Sequence, residues 1–373
     1  MAADPPGAGA AGRNTVTARL PADLLSRSAQ EASRLLALAH LDEIIRAEKR
    51  LADPLDAEAL HDFRVGLRRF RSCLRAYRGP LEGSVSKKLR RRLRDLTLAT
   101  NAARDTEVQL AWLRDQAQLL GPGEVEGLAW LIGLLEGRKH EALDRVPATA
   151  GRRFLKLAAK LGPRLMTFRV ELRKERPHGS TFAGATAVLI RRQVADLGPA
   201  LVGVRNGEDS SAVHAARISA KRLRYLLEPL SRRVPRTRAI VKRLKELQDT
   251  LGDVHDMQVL AEEIAVMMHP WGAEPGIRRL QAAARERADT GLAAFNAHWT
   301  NGREIHFLSR VEEIADGLAA TESGARGVEI RQAGTSDAPA PLTRSVAGAS
   351  MPALSLSSTP SRPSRRRPRP RLR

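Results

Sequence analysis

Residues 61–75 read HDFRVGLRRFRSCLR, and residues 214–228 read HAARISAKRLRYLLE. On a helical wheel advancing about 100° per residue, His61, Arg64, Arg68, Arg71 and Arg75 fall on one face. Phe63, Leu67, Phe70 and Leu74 fall on the other. The first stretch is thus a helix with a core face and a cationic stripe roughly 21 Å long. The second stretch gives the same answer: His214, Arg217, Lys221 and Arg224 lie opposite Ala216, Ala220, Leu223 and Leu227. The two align at a shift of 153, with Arg69 on Arg222. Glu228 stands where the first copy has Arg75, so the second stripe is one cation shorter.

A second block follows each first block. Residues 87–108, KKLRRRLRDLTLATNAARDTEV, align with 238–259, RAIVKRLKELQDTLGDVHDMQV, at a shift of 151. Lys87, Arg91 and Arg94 form a stripe opposite Leu89, Leu93 and Leu96; Arg238, Lys242 and Lys245 form one opposite Ile240, Leu244 and Leu247. Two blocks in the same order argue for duplication of one helical unit. Helical periodicity extends outward over 28–51, 57–78, 84–119, 123–145 and 152–176, with an interruption expected near Gly162-Pro163. It resumes over 182–204, 210–232, 236–268 and 276–300. No period-2 strand or Asn-Gly hairpin signal interrupts it. The expected organisation is a disordered segment 1–26, helical halves 27–176 and 177–316, and a disordered basic tail 317–373.

The chain has 373 residues and a net charge of +21. The tail from Gly317 holds +7, so the body is basic in its own right. Such a balance favours polyanionic partners. Aromatics are only 3%, and the apolar content is mostly Ala, Leu and Val, which suits helices. The single cysteine, Cys73, excludes a disulfide scaffold or a Cys-based metal cluster and reads as a buried thiol. No signal peptide is expected, and the longest uncharged run of the body, 177–190, is too short to span a membrane. A soluble, intracellular protein is the expectation. There is no GxxxxGK[ST] loop, GxGxxG turn or GxSxG elbow.

Like charges at i,i+4 destabilise an isolated helix by a few tenths of a kcal/mol per pair. An Arg-rich composition alone would not place such pairs in register in both halves. Cation stripes suit a ligand with regularly spaced anionic oxygens, which Arg grips with a planar fork and Lys as a point charge. His61 and His214 open the two stripes. Each either donates to an anionic oxygen or bonds backbone or an acid such as Asp105 or Asp256. Metal binding fits them poorly, because Arg or Lys at +3 and +7 repels a cation. Asp105 and Asp256, expected at turns or kinks, suit pairing with a stripe arginine better than acting as bases.

The patterns HxxRVxxRRxRSxLR at 61–75 and HxxRIxxKRLRYxLE at 214–228, with Leu247, Gln248, Leu251, Gly252 and Asp256 following, resemble the CHAD domain, the conserved-histidine α-helical domain. The resemblance spans about residues 27–315. It implies an all-α fold of two four-helix bundles, pseudo-two-fold symmetric around a basic surface or central pore. It also implies non-enzymatic binding of inorganic polyphosphate, association with polyphosphate granules in the cytoplasm, and no cofactor. The chain departs from the pattern at Thr100 and Asn101, which stand where the second half has Leu251 and Gly252. The ExExK motif of a fused triphosphate tunnel domain is absent, so the domain reads as standing alone. The candidate site residues are those named in the stripes, together with Arg69 and Arg222. A general nucleic-acid-binding protein is the rival reading; the scarcity of aromatics weakens its single-strand mode.

Overall fold

The structure is a computed structural model. It describes residues 20–333 except 54, 57, 122, 123, 145, 146, 168–179, 206–209 and 269–274. The first series of helices is α1 (Ala29–Arg50), α2 (Ala59–Ala76), α3 (Lys87–Gln116), α4 (Val125–Asp144) and α5 (Pro147–Met166). The second is α6 (Phe182–Arg205), α7 (Ser210–Leu227), α8 (Thr237–Met268), α9 (Pro275–Trp299) and α10 (Arg303–Ala333). No β-strand occurs among the described residues, so the all-α class read from periodicity holds.

The amphipathic faces pack as the wheels place them. Phe63, Leu67, Phe70 and Leu74 of α2 are at most 2% exposed, and Ala216, Ala220, Leu223 and Leu227 of α7 are fully buried. Leu89, Leu93 and Leu96 of α3 and Ile240, Leu244 and Leu247 of α8 are buried too. Burial of a Leu or Phe side chain contributes about 1.5–3 kcal/mol, which outweighs the repulsion along the opposite stripe. Within each series consecutive helices pack on one another, from α1 to α4 and from α6 to α9. Between the series, α1 packs on α6, α2 on α7, α3 on α8 and α4 on α9.

The starts of the two series are tied together by backbone. Ser28 caps α1 by accepting from Glu31 N at 3.2 Å, and Thr181 caps α6 by accepting from Gly184 N at 3.1 Å. The two capping residues form an antiparallel bridge. Ala29 N donates to Ser180 O at 3.0 Å and Phe182 N to Arg27 O at 2.8 Å. Tyr77, just past α2, stacks on Phe182 and shares a 2.9 Å hydroxyl hydrogen bond with Thr186 of α6.

Several boundaries differ from the sequence reading. The ordered chain starts before residue 27: Leu20 and Leu24 are buried in the core, and Arg233 Nη2 donates to Leu20 O at 2.5 Å. At the other end α10 runs to Ala333 rather than stopping at 316. Leu318, at 2% exposure, continues its buried face beyond that point. Residues 1–19 and 334–373 lie outside the described residues. α5 passes through Pro163, which forgoes its own N–H bond to the carbonyl of residue 159, and ends at Met166 with no interruption. The expected turns near Asp105 and Asp256 are absent as well: α3 and α8 are unbroken there.

α1 and α2 approach closely at Gly66, where an added Cβ would lie 2.7 Å from Ile44 Cγ1. Ile44 is fully buried and has nowhere to move. Gly66→Ala is expected to destabilise the protein by about 1–3 kcal/mol despite alanine's better helix propensity. Chemical denaturation with an unchanged m-value checks this; a stabilised variant contradicts the packing.

Candidate functional site

α2, α3, α7 and α8 line an open cavity of about 1190 Å³. Three short stretches of cations and histidines meet in it. From α2 come His61, Arg64, Arg68, Arg71 and Arg75, and from α3 come Lys87, Arg91 and Arg94. From α7 come His214, Arg217, Lys221 and Arg222. Leu74 and Leu93, at the edges of the core faces of α2 and α3, close the cavity on its apolar side.

The remaining candidates lie elsewhere. Arg69 and Arg224 do not line the cavity. Glu228 takes both: Arg69 Nε donates to its Oε2 at 2.9 Å, and Arg224 Nη1 lies 3.5 Å from its Oε1. Burial opposes the charge on Arg69, and the Glu228 carboxylate beside it more than offsets that. Arg224 also lies over the Tyr225 ring, 5.0 Å from its centroid. Arg238, Lys242 and Lys245 are exposed on α8 and do not line the cavity either. The two halves therefore do not contribute equal cation sets.

Structure adds residues that the sequence reading missed. Arg78, Arg90, Arg138 and His255 line the cavity, as do the polar Ser72, Thr97, Thr106 and Gln109. Arg90 is partly structural, donating to the carbonyls of Leu74 and Val85. A signal for His255 was present: at the shift of 151 it aligns with Arg104, so a basic residue recurs at that position. His255 and His214 lie ring against ring, with centroids 5.0 Å apart. The side chain of Asp105 lies outside the described residues. Asp256 lies near Arg217, with 4.0 Å from its Oδ1 to Nη2, the stripe pairing expected of it.

The electrostatics are those of concentrated positive charge. Burial and the neighbouring Arg217, Arg68, Arg71 and Arg222 push the Lys221 ammonium down to about 8. His255 is pushed down to about 4 by burial, Arg217, His214 and Lys221. His214 is lowered by burial and by Arg217 and Lys221. Burial, Arg75 and Arg94 also lower Arg71. Among the described residues no carboxylate forms an ion pair with Arg68, Arg71 or Lys221. Arg68 Nε is buried without a hydrogen-bond partner. An uncompensated cation cluster in a partly desolvated cavity is costly to the fold, and an entering anion relieves that cost. Among the described residues no group of His, Cys, Asp and Glu has metal-site geometry. Cys73 is buried, its thiol pushed up to about 12, and it does not reach the cavity. No helix among the described residues is long and apolar enough to cross a membrane.

The fold has solved counterparts. The CHAD domain from the plant Ricinus communis superposes with a TM-score of 0.52 at 23% identity, covering 73% of this chain and 91% of that one. PptA from Streptomyces chartreusis superposes with a TM-score of 0.54 at 19% identity, covering 74% and 98%. No curated protein sequence matches the chain significantly. The CHAD domain model matches residues 35–265, which include both stripe helices, α3 and most of α8. By that match and by its helical architecture, the chain belongs to the CHAD domain family.

Proposed function

We propose that this protein binds inorganic polyphosphate in the cavity between α2, α3, α7 and α8, without catalysing a reaction on it. The observation that carries this reading is the cluster of Arg68, Arg71 and Lys221, converging from two helices with no carboxylate paired to any of them among the described residues. Polyphosphate is a flexible linear anion with no bases to read, and the cavity offers forks and point charges but little aromatic surface. The repeated blocks and the packing of α2 on α7 and α3 on α8 support descent from a duplicated helical unit around this cavity. Association with polyphosphate granules in the cytoplasm follows from the same chemistry.

The test is competition at equal phosphate concentration and fixed salt. Long polyphosphate is expected to displace duplex DNA, because a flexible single chain can follow the cavity lining, whereas a stiff duplex relies more on screened outer charges. Equal binding of DNA at physiological salt would transfer the reading to a general nucleic-acid-binding protein.

The Arg-rich tail is expected to add only non-specific attraction. A chain ending after Ala333, which keeps α10 whole, should retain polyphosphate affinity within a few-fold at physiological salt. A cut at 316 would instead remove buried Leu318 and confuse stability with binding. Complete loss in the Ala333 truncation would mean that the cavity is not the site.

A further inference from the structure

The two series differ where their stripes end. Arg71, Arg75 and Arg222 all line the cavity. Their counterparts at the shift of 153 are Arg224, Glu228 and Arg69, and none of these lines it. Glu228 is 7% exposed, and its two carboxylate oxygens are committed to Arg69 and Arg224. The exchange of Arg75 for Glu228 thus withdraws both arginines that would otherwise extend the cation track. Beyond this cluster the α8 cations stay outside the cavity, whereas the matching α3 cations continue it.

Lys221 lies within this track. Arg68 and Arg71 of α2 and Arg217 and Arg222 of its own helix surround it. It lines the cavity together with Arg68 and Arg71, and among the described residues no carboxylate forms an ion pair with any of the three. A terminal phosphate is the matching group. Like a phosphate monoester it carries about −1.5 to −2 at pH 7 and three free oxygens. An internal phosphate carries a single charge and fewer free oxygens. Resting on the polyphosphate reading above, we propose that the track is open at one end, past Arg75 and α3, and terminated at the other by Glu228. The chain is then held by its end, with the terminal phosphate seated at Lys221.

Calorimetry with end-modified ligands tests this. The probes are long linear polyphosphate with free ends, the same chains capped at both ends by bulky phosphoramidates, and linear against cyclic hexaphosphate. For the native protein, capping is expected to lower affinity by at least about tenfold, and the cyclic form to bind correspondingly worse than the linear one. In Glu228→Gln, which releases Arg69 and Arg224, the ratio between free and capped chains is expected to fall toward one. Capped chains that bind the native protein as well as free ones would overturn end-on binding. A capping ratio unchanged in Glu228→Gln would overturn the role of Glu228. If that variant fails to fold, the native protein's capping and cyclic comparisons decide alone. Failure of every chain, capped or free, to bind would overturn the polyphosphate reading itself.

Discussion

Arg68→Glu with Arg71→Glu is expected to lower affinity for long polyphosphate by at least about a hundredfold. Each arginine lines the cavity in a partly desolvated setting, without a carboxylate partner among the described residues. A hydrogen bond to a charged group there is worth about 1.5–3 kcal/mol, and reversal also replaces attraction with repulsion. Two such changes exceed about 2.7 kcal/mol, the equivalent of two decades in affinity. The control is Lys242→Glu with Lys245→Glu on α8. These lysines belong to a stripe of the same sequence pattern, yet they are exposed and outside the cavity. Screened surface charges contribute about 0.2–1 kcal/mol each, so the control should cost less than about tenfold. Calorimetry at fixed salt, with circular dichroism to verify the fold, distinguishes the two. Equal losses would mean that the outer stripes, not the cavity, hold the ligand. Affinity should also climb with chain length and level off once the cavity is filled.

Lys221→Met is expected to act in opposite directions on stability and on binding. The native ammonium, pushed down to about 8 from its ordinary value of 10.5, is disfavoured by burial and by four arginines. Between those two values the unfolded chain holds a proton that the folded chain has released. Stability from this group therefore rises as pH rises through the window, and the destabilisation is fully present below 8. Methionine keeps the length and packing of the stem and drops the charge. At pH 7 the ligand-free variant should be more stable by about 1–3 kcal/mol, an advantage that fades toward pH 10. Polyphosphate should then raise Tm less in the variant than in the native protein, because binding stabilises in proportion to affinity. Thermal unfolding with and without ligand, at pH 7 and pH 9.5, measures both arms. A variant that is less stable without ligand, or that gains the same ligand-induced shift, would remove Lys221 from the site.

What the amino-acid sequence determined by itself is local and periodic. Helices α1 to α9 were legible from apolar spacing and breakers, because each helix needs one face to bury and the wheel names that face before any partner is known. Repetition of two blocks in register identified the family and the four helices that carry the cations. The fifth helix of the second series was only half legible. The Gly and Ser of its last turns read as a tail, although Leu318 still packs.

Which cations meet was decided only by tertiary structure. Arg71 and Arg224 occupy the same place in their stripes, yet one lines the cavity and the other is held by Glu228. Arg69 is held by that same carboxylate from 159 residues away, a pairing no helical wheel contains. Lys87, Arg91 and Arg94 reach the cavity while Arg238, Lys242 and Lys245 do not, and His255 enters it beside His214. A wheel reports direction around one helix axis. Whether a charge ends in a shared cavity, in a buried pair or in water depends on what a distant segment brings within a few ångströms of it. That distance controls both the Coulomb energy and the desolvation that sets its size.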